Sequence, residues 1–150
     1  MLSIFCDGSS HSRGGLPGGW AFIVVQDDVA VVTRTGGAKS TTNNLMELRA
    51  ALLGLREVIA LGRTGAVELV SDSRFTLDIA NGSSLPAKHV AEARALREAA
   101  LVVGAKTRWV RGHSGDRWNE VVDALAHEAK QTFVPARVRR RAERRAARGQ

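Results

Sequence analysis

The chain has 150 residues, of which 44% are hydrophobic, a net charge of +7 at neutral pH and a single cysteine. A chain of this length forms one domain with a sizeable core, and one cysteine excludes an intramolecular disulfide. No stretch approaches the roughly 20 apolar residues of a membrane span, and the first residues lack the basic and apolar regions of a secretory leader. We therefore expect a cytoplasmic protein without a membrane segment.

The positive charge is concentrated after Pro135, where seven arginines and one glutamate account for +6 of the net charge. These arginines are Arg137, Arg139, Arg140, Arg141, Arg144, Arg145 and Arg148. A basic segment of this kind is typical of a tail that binds nucleic acid or another polyanion. The alternative is a disordered tail that only keeps the protein in solution. We expect a folded domain over residues 1–134 and a basic tail over residues 135–150.

The first half of the sequence predicts three strands followed by a helix. A short β-rich strand covers residues 2–7, and a flexible glycine-rich loop follows over residues 8–19. Two β-branched runs, 20–25 and 29–35, predict an antiparallel hairpin. Apolar residues then recur at three- and four-residue intervals over 42–60, which predicts an amphipathic helix.

The second half alternates strands with helices. We predict a strand over 67–72, a short helix over 74–80, a longer helix over 87–103 and a strand over 106–110. Asp116 is placed to cap a final helix. This alternation indicates an α/β protein with a mixed five-stranded sheet and helices on its faces.

Four acidic residues stand out against these elements. Asp7 and Asp72 each end a predicted strand, Glu47 lies in the first long helix, and Asp123 lies in the last one. If the two strands are parallel neighbours, their acids meet at the same edge of the sheet. We expect Glu47 at the boundary between the buried face of its helix and water. Its simplest alternative role is to interact favourably with the helix dipole.

Converging carboxylates repel one another unless a cation lies between them. Mg²⁺ prefers oxygen ligands and often keeps several waters and substrate phosphates in its coordination shell. Two such ions can stabilise the attacking and leaving oxygens of a phosphoryl displacement. If they converge, the four acids therefore predict a site for two Mg²⁺ ions.

A short motif surrounds each of these acids, and a fifth motif contains a histidine. The motifs are Asp7-Gly8-Ser9, Thr42-Asn43-Asn44-x-Met46-Glu47, Ser71-Asp72-Ser73, Gly112-His113-Ser114-Gly115 and Asn119-Glu120-x-x-Asp123-x-Leu125-Ala126. In order and approximate spacing they resemble type 1 ribonuclease H, over about residues 1–131. The resemblance implies the ribonuclease H fold, with sheet order 3-2-1-4-5. It also implies hydrolysis of the RNA strand of an RNA–DNA hybrid that depends on Mg²⁺, for which Mn²⁺ could substitute, leaving 5′-phosphate and 3′-hydroxyl ends.

The resemblance also implies roles for individual residues. Asp7, Glu47, Asp72 and Asp123 match the catalytic, metal-binding acids of the family. His113 matches a loop histidine that assists proton transfer or product release; taken alone, it could equally be a solvated loop histidine.

Further matches concern the substrate. Asn43 and Asn44 match positions that contact the minor groove, where RNA displays its 2′-hydroxyls, and Thr42 matches a residue that holds a DNA phosphate. Helix capping is an alternative role that is compatible with these contacts. Additional contacts to 2′-hydroxyls or to the backbone are expected from Ser9, Ser10 and Ser73.

The sequence departs from the family pattern at two places. Many bacterial members carry a basic, tryptophan-rich insertion that grips the hybrid, whereas residues 80–87 form only a short Gly/Ser/Pro turn here. Arg74 stands where the family often has Gln, which puts minor-groove contacts from its helix in doubt. We expect the basic tail to help hold the substrate instead.

Other aromatic and histidine residues carry no such match. We expect Trp20, Trp109 and Trp118 to pack in the core or at helix starts. We expect surface or packing roles for His11, His89 and His127.

Two other functions are compatible with parts of this pattern. A non-catalytic module that binds RNA or hybrid would be indicated by loss of an acid, and no acid is lost. A recombinase or Holliday-junction nuclease of the same fold would generally lack the Thr-Thr-Asn-Asn and Gly-His-Ser-Gly elements. We therefore favour a hybrid-specific endonuclease, and we expect it to be a monomer.

Overall fold

The computed structural model describes residues 1–63, 65–133 and 144–149. Its elements in chain order are β1 (Leu2–Ser10), β2 (Leu16–Gln26), β3 (Val29–Thr41), α1 (Asn43–Ala60), β4 (Val67–Ser71), α2 (Arg74–Ala80), α3 (Val90–Val103), β5 (Lys106–Trp109) and α4 (Arg117–Thr132). Residues 144–148 form a further short helical stretch. Among the described helices, none has the length and apolar character needed to cross a membrane.

The five strands form one mixed sheet with the order β3-β2-β1-β4-β5. β1 pairs antiparallel with β2, and β2 pairs antiparallel with β3. β4 lies parallel to β1 on its other side, and β5 lies parallel to β4. The predicted α/β fold and its strand order are therefore confirmed.

Helices cover both faces of the sheet, because successive residues of a strand point to opposite faces. On one face Ile4, Phe22 and Leu69 pack with α1 and α3 in the larger core cluster. On the other face Phe5 and Ile23 pack with residues of α4 in a smaller cluster. Because the central strands are buried on both faces, their ends are held in fixed positions. The acids at those ends are therefore also held in fixed positions.

The glycine-rich segment differs from its prediction. β2 begins at Leu16, so residues 16–19 belong to the sheet and not to a flexible loop. Gly19 pairs with Ser9 of β1, and a Cβ at this glycine would lie 2.3 Å from the backbone nitrogen of Lys130. The missing side chain lets α4 pack directly against the strand. The glycines here allow close packing of a strand. A glycine-rich composition alone does not distinguish such a strand from a flexible loop.

Several element boundaries also differ. β1 continues from the predicted end at residue 7 to Ser10, and β4 ends at Ser71, one residue earlier than predicted. β3 continues from the predicted end at residue 35 to Thr41. α3 begins at Val90 and not at residue 87, because His89 has a left-handed backbone conformation with φ of 57° that cannot continue a helix. β5 ends at Trp109, one residue earlier than predicted. The boundary between domain and tail stays a prediction, because the structure describes only residues 144–149 beyond residue 133.

Candidate active site

Three acids from three different elements meet at one edge of the sheet. Asp7 lies in β1, Asp72 directly follows β4, and Glu47 lies near the start of α1. One carboxylate oxygen from each lies within 4.8 Å of those of the other two. The parallel pairing of β1 and β4 explains why two of these acids, distant in sequence, come together.

A glycine allows the helix to approach the strand at this point. A Cβ at Gly8 would lie 2.4 Å from the backbone nitrogen of Glu47, far inside any real contact. The amide of Gly8 also donates a hydrogen bond of 2.9 Å to Oδ1 of Asp7. The relative position of these two acids is therefore set by contact between two backbones.

The acids are buried in an arrangement that disfavours their charge. Asp7 is 3% exposed and Glu47 is 5% exposed, so the latter lies deeper than the boundary position predicted for it. Burial, followed by the charge of Glu47, raises the pKa of Asp7 far above its usual range. Burial is also the main cause that raises the pKa of Glu47. Burial and mutual repulsion thus favour the protonated forms of this pair when no cation is present.

One atom of this pair has no partner among the described residues. Oε2 of Glu47 is buried and accepts no hydrogen bond from any of them. None of the ion pairs formed among the described residues includes a carboxylate of the site. A buried carboxylate oxygen without a partner is costly, and a metal ion would supply the missing interaction.

Asp72 is less buried and has a neutral neighbour. Burial raises its pKa, the hydrogen bond from Asn119 lowers it, and the charge of Asp123 raises it again. Nδ2 of Asn119 lies 3.5 Å from Oδ2 of Asp72. Asn119 itself is 2% exposed, so α4 holds an amide against the site.

Asp123, also from α4, is half-buried beside the three acids. It contributes to the raised pKa of Asp7, after burial and Glu47. It nevertheless lies outside the group whose oxygens are within 4.8 Å of one another among the described residues. The structure thus brings three of the predicted acids into close contact and the fourth to their edge.

The loop that carries His113 runs directly past the site. A Cβ at Gly112 would lie 3.1 Å from Oδ2 of Asp72, so the backbone of this loop lies against that carboxylate. His113 is exposed and has a left-handed conformation with φ of 53°. A charged His113 ring opposes the upward shift in the pKa of Asp72. The histidine is therefore near the acids while remaining accessible to solvent.

The predicted substrate residues of α1 lie at its first turn. Thr42 is the N-cap, and its Oγ1 accepts a hydrogen bond of 3.3 Å from the amide of Leu45. The same oxygen lies 3.4 Å from Nε2 of His89, a residue for which the sequence predicted no specific contact. Asn43 and Asn44 follow the N-cap and are exposed.

The serines and Arg74 lie around the same edge of the sheet. Ser9 and Ser10 are half-buried at the end of β1. Ser73 caps α2 by accepting a hydrogen bond of 3.2 Å from the amide of Thr76, so its hydroxyl already has a structural role. Arg74 is exposed and stacks on Trp109, its Cζ lying 4.0 Å from the ring centroid.

The tail is described only in part. Arg144, Arg145 and Arg148 are exposed on the short helical stretch. The predictions for Arg137, Arg139, Arg140 and Arg141 lie outside the described residues.

The sequence predicted no catalytic or binding role for two residues of this region, Asn119 and Trp109. Asn119 belongs to one of the motifs and lies one helical turn before Asp123. Because Asn is a weak helix former, its presence there could have indicated a functional role. Trp109 was expected to pack inside the protein, but it is 41% exposed and its Nε1 donates to the backbone oxygen of Asp72 at 3.0 Å. Only the three-dimensional arrangement reveals that contact. In contrast, Trp20 and Trp118 are partly buried against the two core clusters, as predicted.

Comparison with known proteins agrees with this arrangement. The family model described as RNase H matches residues 1–131. A ribonuclease H from Treponema pallidum is 36% identical, over 85% of this chain and 89% of that protein. The crystal structure of RNase H1 from Halobacterium salinarum matches with a TM-score of 0.73 at 23% identity, covering 85% of this chain and 96% of that one. LC11-RNase H1 in complex with RNA/DNA hybrid matches with a TM-score of 0.70 at 16% identity, covering 86% and 99%. With its acids, fold and sequence in agreement, this chain belongs to the ribonuclease H family of nucleases.

Proposed function

We propose that the protein is an endonuclease that hydrolyses the RNA strand of RNA–DNA hybrids, leaving 5′-phosphate and 3′-hydroxyl ends. The observation that carries this proposal is the cluster of Asp7, Glu47 and Asp72, whose oxygens lie within 4.8 Å of one another. Membership of the ribonuclease H family, and the fold shared with an RNase H1 solved on RNA/DNA hybrid, support the choice of substrate.

The residues of the site fit divalent metal ions. All the charged donors are carboxylate oxygens, which Mg²⁺ and Mn²⁺ accept. A buried oxygen of Glu47 has no partner, and burial with mutual repulsion raises the pKa of the acids. These features are expected of a site that is stabilised by added positive charge. We propose that Asp7, Glu47, Asp72 and Asp123 hold two Mg²⁺ ions.

When bound, two such ions would stabilise the attacking and leaving oxygens of an in-line displacement at phosphorus. The part of the protein is to hold the carboxylates in a fixed, largely buried arrangement. Asn119 would keep the carboxylate of Asp72 oriented through its amide, in the way that outer groups orient metal ligands. His113 would transfer a proton through an imidazole nitrogen during cleavage or product release, and its exposure in a loop beside Asp72 is compatible with that role.

Substrate contacts would come from the rim of the site. Thr42, at the N-terminus of α1, would bind a DNA phosphate, since helix N-termini favour anions. Asn43 and Asn44 are exposed next to it and would contact the minor groove. Ser9, Ser10, Ser73 and Arg74 would add contacts to 2′-hydroxyls or to the backbone.

The basic tail would add long-range attraction to the hybrid. The part after Pro135 carries +6 of the net charge of +7, and the arginines of the described helical stretch are exposed. Attraction of this kind depends on phosphate charge and not on base sequence. We further propose that the protein acts as a monomer in the cytoplasm, which stays a prediction from the sequence.

One assay tests the proposed reaction. Labelled RNA–DNA hybrid, double-stranded RNA and DNA duplex are incubated with the protein in Mg²⁺, in Mn²⁺ or in chelator, and the product ends are identified. We expect internal cleavage of the RNA strand of the hybrid only, in either metal and not in chelator. Binding of the hybrid without cleavage in any metal would instead support a non-catalytic module.

A further inference from the structure

Trp109 contacts the site at two points. It is the last residue of β5, and 41% of it is exposed. Its indole Nε1 donates a hydrogen bond of 3.0 Å to the backbone oxygen of Asp72. The face of its ring carries the guanidinium of Arg74, with Cζ 4.0 Å from the ring centroid. One side chain therefore touches the backbone of a site acid and the basic side chain two residues farther along.

Arg74 has no acidic partner within the part of the chain that the structure describes, and its side chain is exposed. Stacking uses the flat face of a guanidinium and leaves the N–H groups at its edge available. Those groups match the oxygens of a phosphate and can bind two of them at once.

A second arginine–tryptophan pair in the same protein shows the contrasting case. Arg117 lies over the ring of Trp118 at 4.4 Å. There, however, Asp28 accepts from both partners, at 3.1 Å from Nη1 of Arg117 and at 2.9 Å from Nε1 of Trp118. That arginine is already paired with a carboxylate. Stacking on tryptophan is thus common to both pairs, and only Arg74 lacks an acidic partner.

We propose that Trp109 is a positioning residue that holds Arg74 beside Asp72 to bind a backbone phosphate of the substrate. This inference rests on the proposed function, and it assigns a role to a tryptophan that does not itself take part in the chemistry. A long arginine side chain normally loses much freedom when it binds, and restraining it beforehand reduces that loss. The indole N–H fixes the same platform to the backbone that carries the site acid. The pair supplies a local cation in a protein whose turn over residues 80–87 has no basic insertion.

Binding measured in chelator tests the phosphate contact without any cleavage. The affinity for a labelled hybrid is measured against salt concentration for the wild type and for Arg74→Gln. We expect Arg74→Gln to weaken binding about tenfold, the size of one charge-assisted hydrogen bond. The slope of log affinity against log salt should fall by about 0.7–0.9, as for one phosphate contact. Arg117→Gln is the matched control, and both quantities should stay at the wild-type values.

Two substitutions separate the roles of Trp109. Trp109→Phe keeps an aromatic face and removes the indole donor, whereas Trp109→Gln keeps an N–H donor and removes the face. We expect Trp109→Phe to retain most of the affinity and the full salt slope. We expect Trp109→Gln to weaken binding several-fold in the wild-type background, and to have little further effect when Arg74→Gln is already present. Thermal melts check that each variant is folded.

The outcomes are decisive in both directions. An unchanged salt slope for Arg74→Gln overturns the phosphate contact. Equal losses from Trp109→Gln with and without Arg74 overturn the positioning role, since Trp109 would then act by itself. If Trp109→Gln does not fold, Trp109→Leu, which also removes the aromatic face, is measured in its place, and equal losses with and without Arg74 again overturn that role. Failure of the wild type to cleave hybrid would contradict the proposed reaction. The binding results in chelator would still test the phosphate contact and the role of Trp109, because they do not depend on cleavage.

Discussion

The side-chain amide of Asn119 lies against the carboxylate of Asp72, with Nδ2 of the former 3.5 Å from Oδ2 of the latter. The other end of the amide, Oδ1, is buried and has no hydrogen-bond partner among residues 1–63, 65–133 and 144–149. A buried amide that is only half satisfied is costly, and here it faces an acid of the site. The contact indicates that Asn119 serves the orientation of Asp72 more than it serves stability.

Replacement of this amide should therefore weaken metal binding. For Asn119→Ala we expect the Mg²⁺ concentration that gives half-maximal cleavage to rise about tenfold or more, as for loss of other groups that orient metal ligands. A Mg²⁺ titration of the cleavage rate measures this. Gln131→Ala, at an exposed position of the same helix, is the control. An unchanged titration curve would show that Asp72 needs no support from α4.

Removal of one acid should abolish cleavage and leave the fold intact. Asp7→Asn and Asp72→Asn are nearly isosteric changes, but each removes an anionic ligand from the proposed metal site. We expect either variant to lose most of its Mg²⁺-dependent activity, with a far-ultraviolet circular dichroism spectrum like that of the wild type. Near-wild-type cleavage by either variant would contradict the assignment of the acids.

The stability of the metal-free protein should depend on pH through Asp7 and Glu47. Since the pKa of both groups is raised in the folded state, folding favours their protonated forms. That stabilisation is fully present below the unfolded pKa values of about 4 and is lost as pH rises through the folded values. In chelator, the difference in Tm between Asp7→Asn and the wild type should grow in favour of the variant from about pH 5 to about pH 9. Mg²⁺ should reduce this difference. A difference that does not change with pH would mean that neither burial nor the neighbouring acid raises the pKa of Asp7 in the folded state.

Loss of the loop histidine should slow the reaction without loss of the metal. For His113→Ala we expect turnover to fall about 10²-fold, the low end of general acid–base effects. Single-turnover and steady-state rates show whether cleavage or product release is slowed. The exposed His127 of α4 offers a control in His127→Ala, which should behave like the wild type. Unchanged rates for His113→Ala would make this histidine a bystander.

Deletion of residues 136–150 should reduce the long-range attraction to nucleic acid. If three or four of the seven arginines contact phosphate, log affinity should depend less steeply on log salt, by about three units. Affinity at low salt should fall by one to a few orders of magnitude, whereas the preference for hybrid over DNA duplex should persist. Binding in chelator against salt concentration measures both. Identical slopes for the full-length and shortened proteins would mean that the tail only aids solubility.

The sequence was sufficient for the fold because several independent patterns agreed. Helical periodicity and β-branched runs indicated the strands, the helices and a mixed five-stranded sheet, whereas the strand order was implied by the resemblance to type 1 ribonuclease H; the structure confirms both. The N-cap of α1 was also predictable, since Thr42 precedes an apolar helical run. Local patterns of this kind depend on neighbours in sequence and can be read directly.

Features that depend on distant neighbours were missed. The burial of Glu47 follows from the close approach of β1 to α1, which the helical pattern of α1 alone does not contain. Gly19 resembled part of a loop because its partner, α4, lies more than a hundred residues away. The contact between Trp109 and Asp72 joins residues 37 positions apart. In each case the missing information was the identity of a tertiary contact.

The backbone contact at Gly8 has a consequence for which ions the protein can use. Two main chains in contact have no alternative rotamers, so only the side-chain torsions of Asp7 and Glu47 can change the separation of their carboxylates. Ca²⁺ requires bonds of about 2.3–2.6 Å, compared with about 2.0–2.1 Å for Mg²⁺. A larger ion would have to be accommodated by these torsions, without movement of the strand or the helix. Discrimination against calcium would then depend on Gly8, a residue that has no side chain.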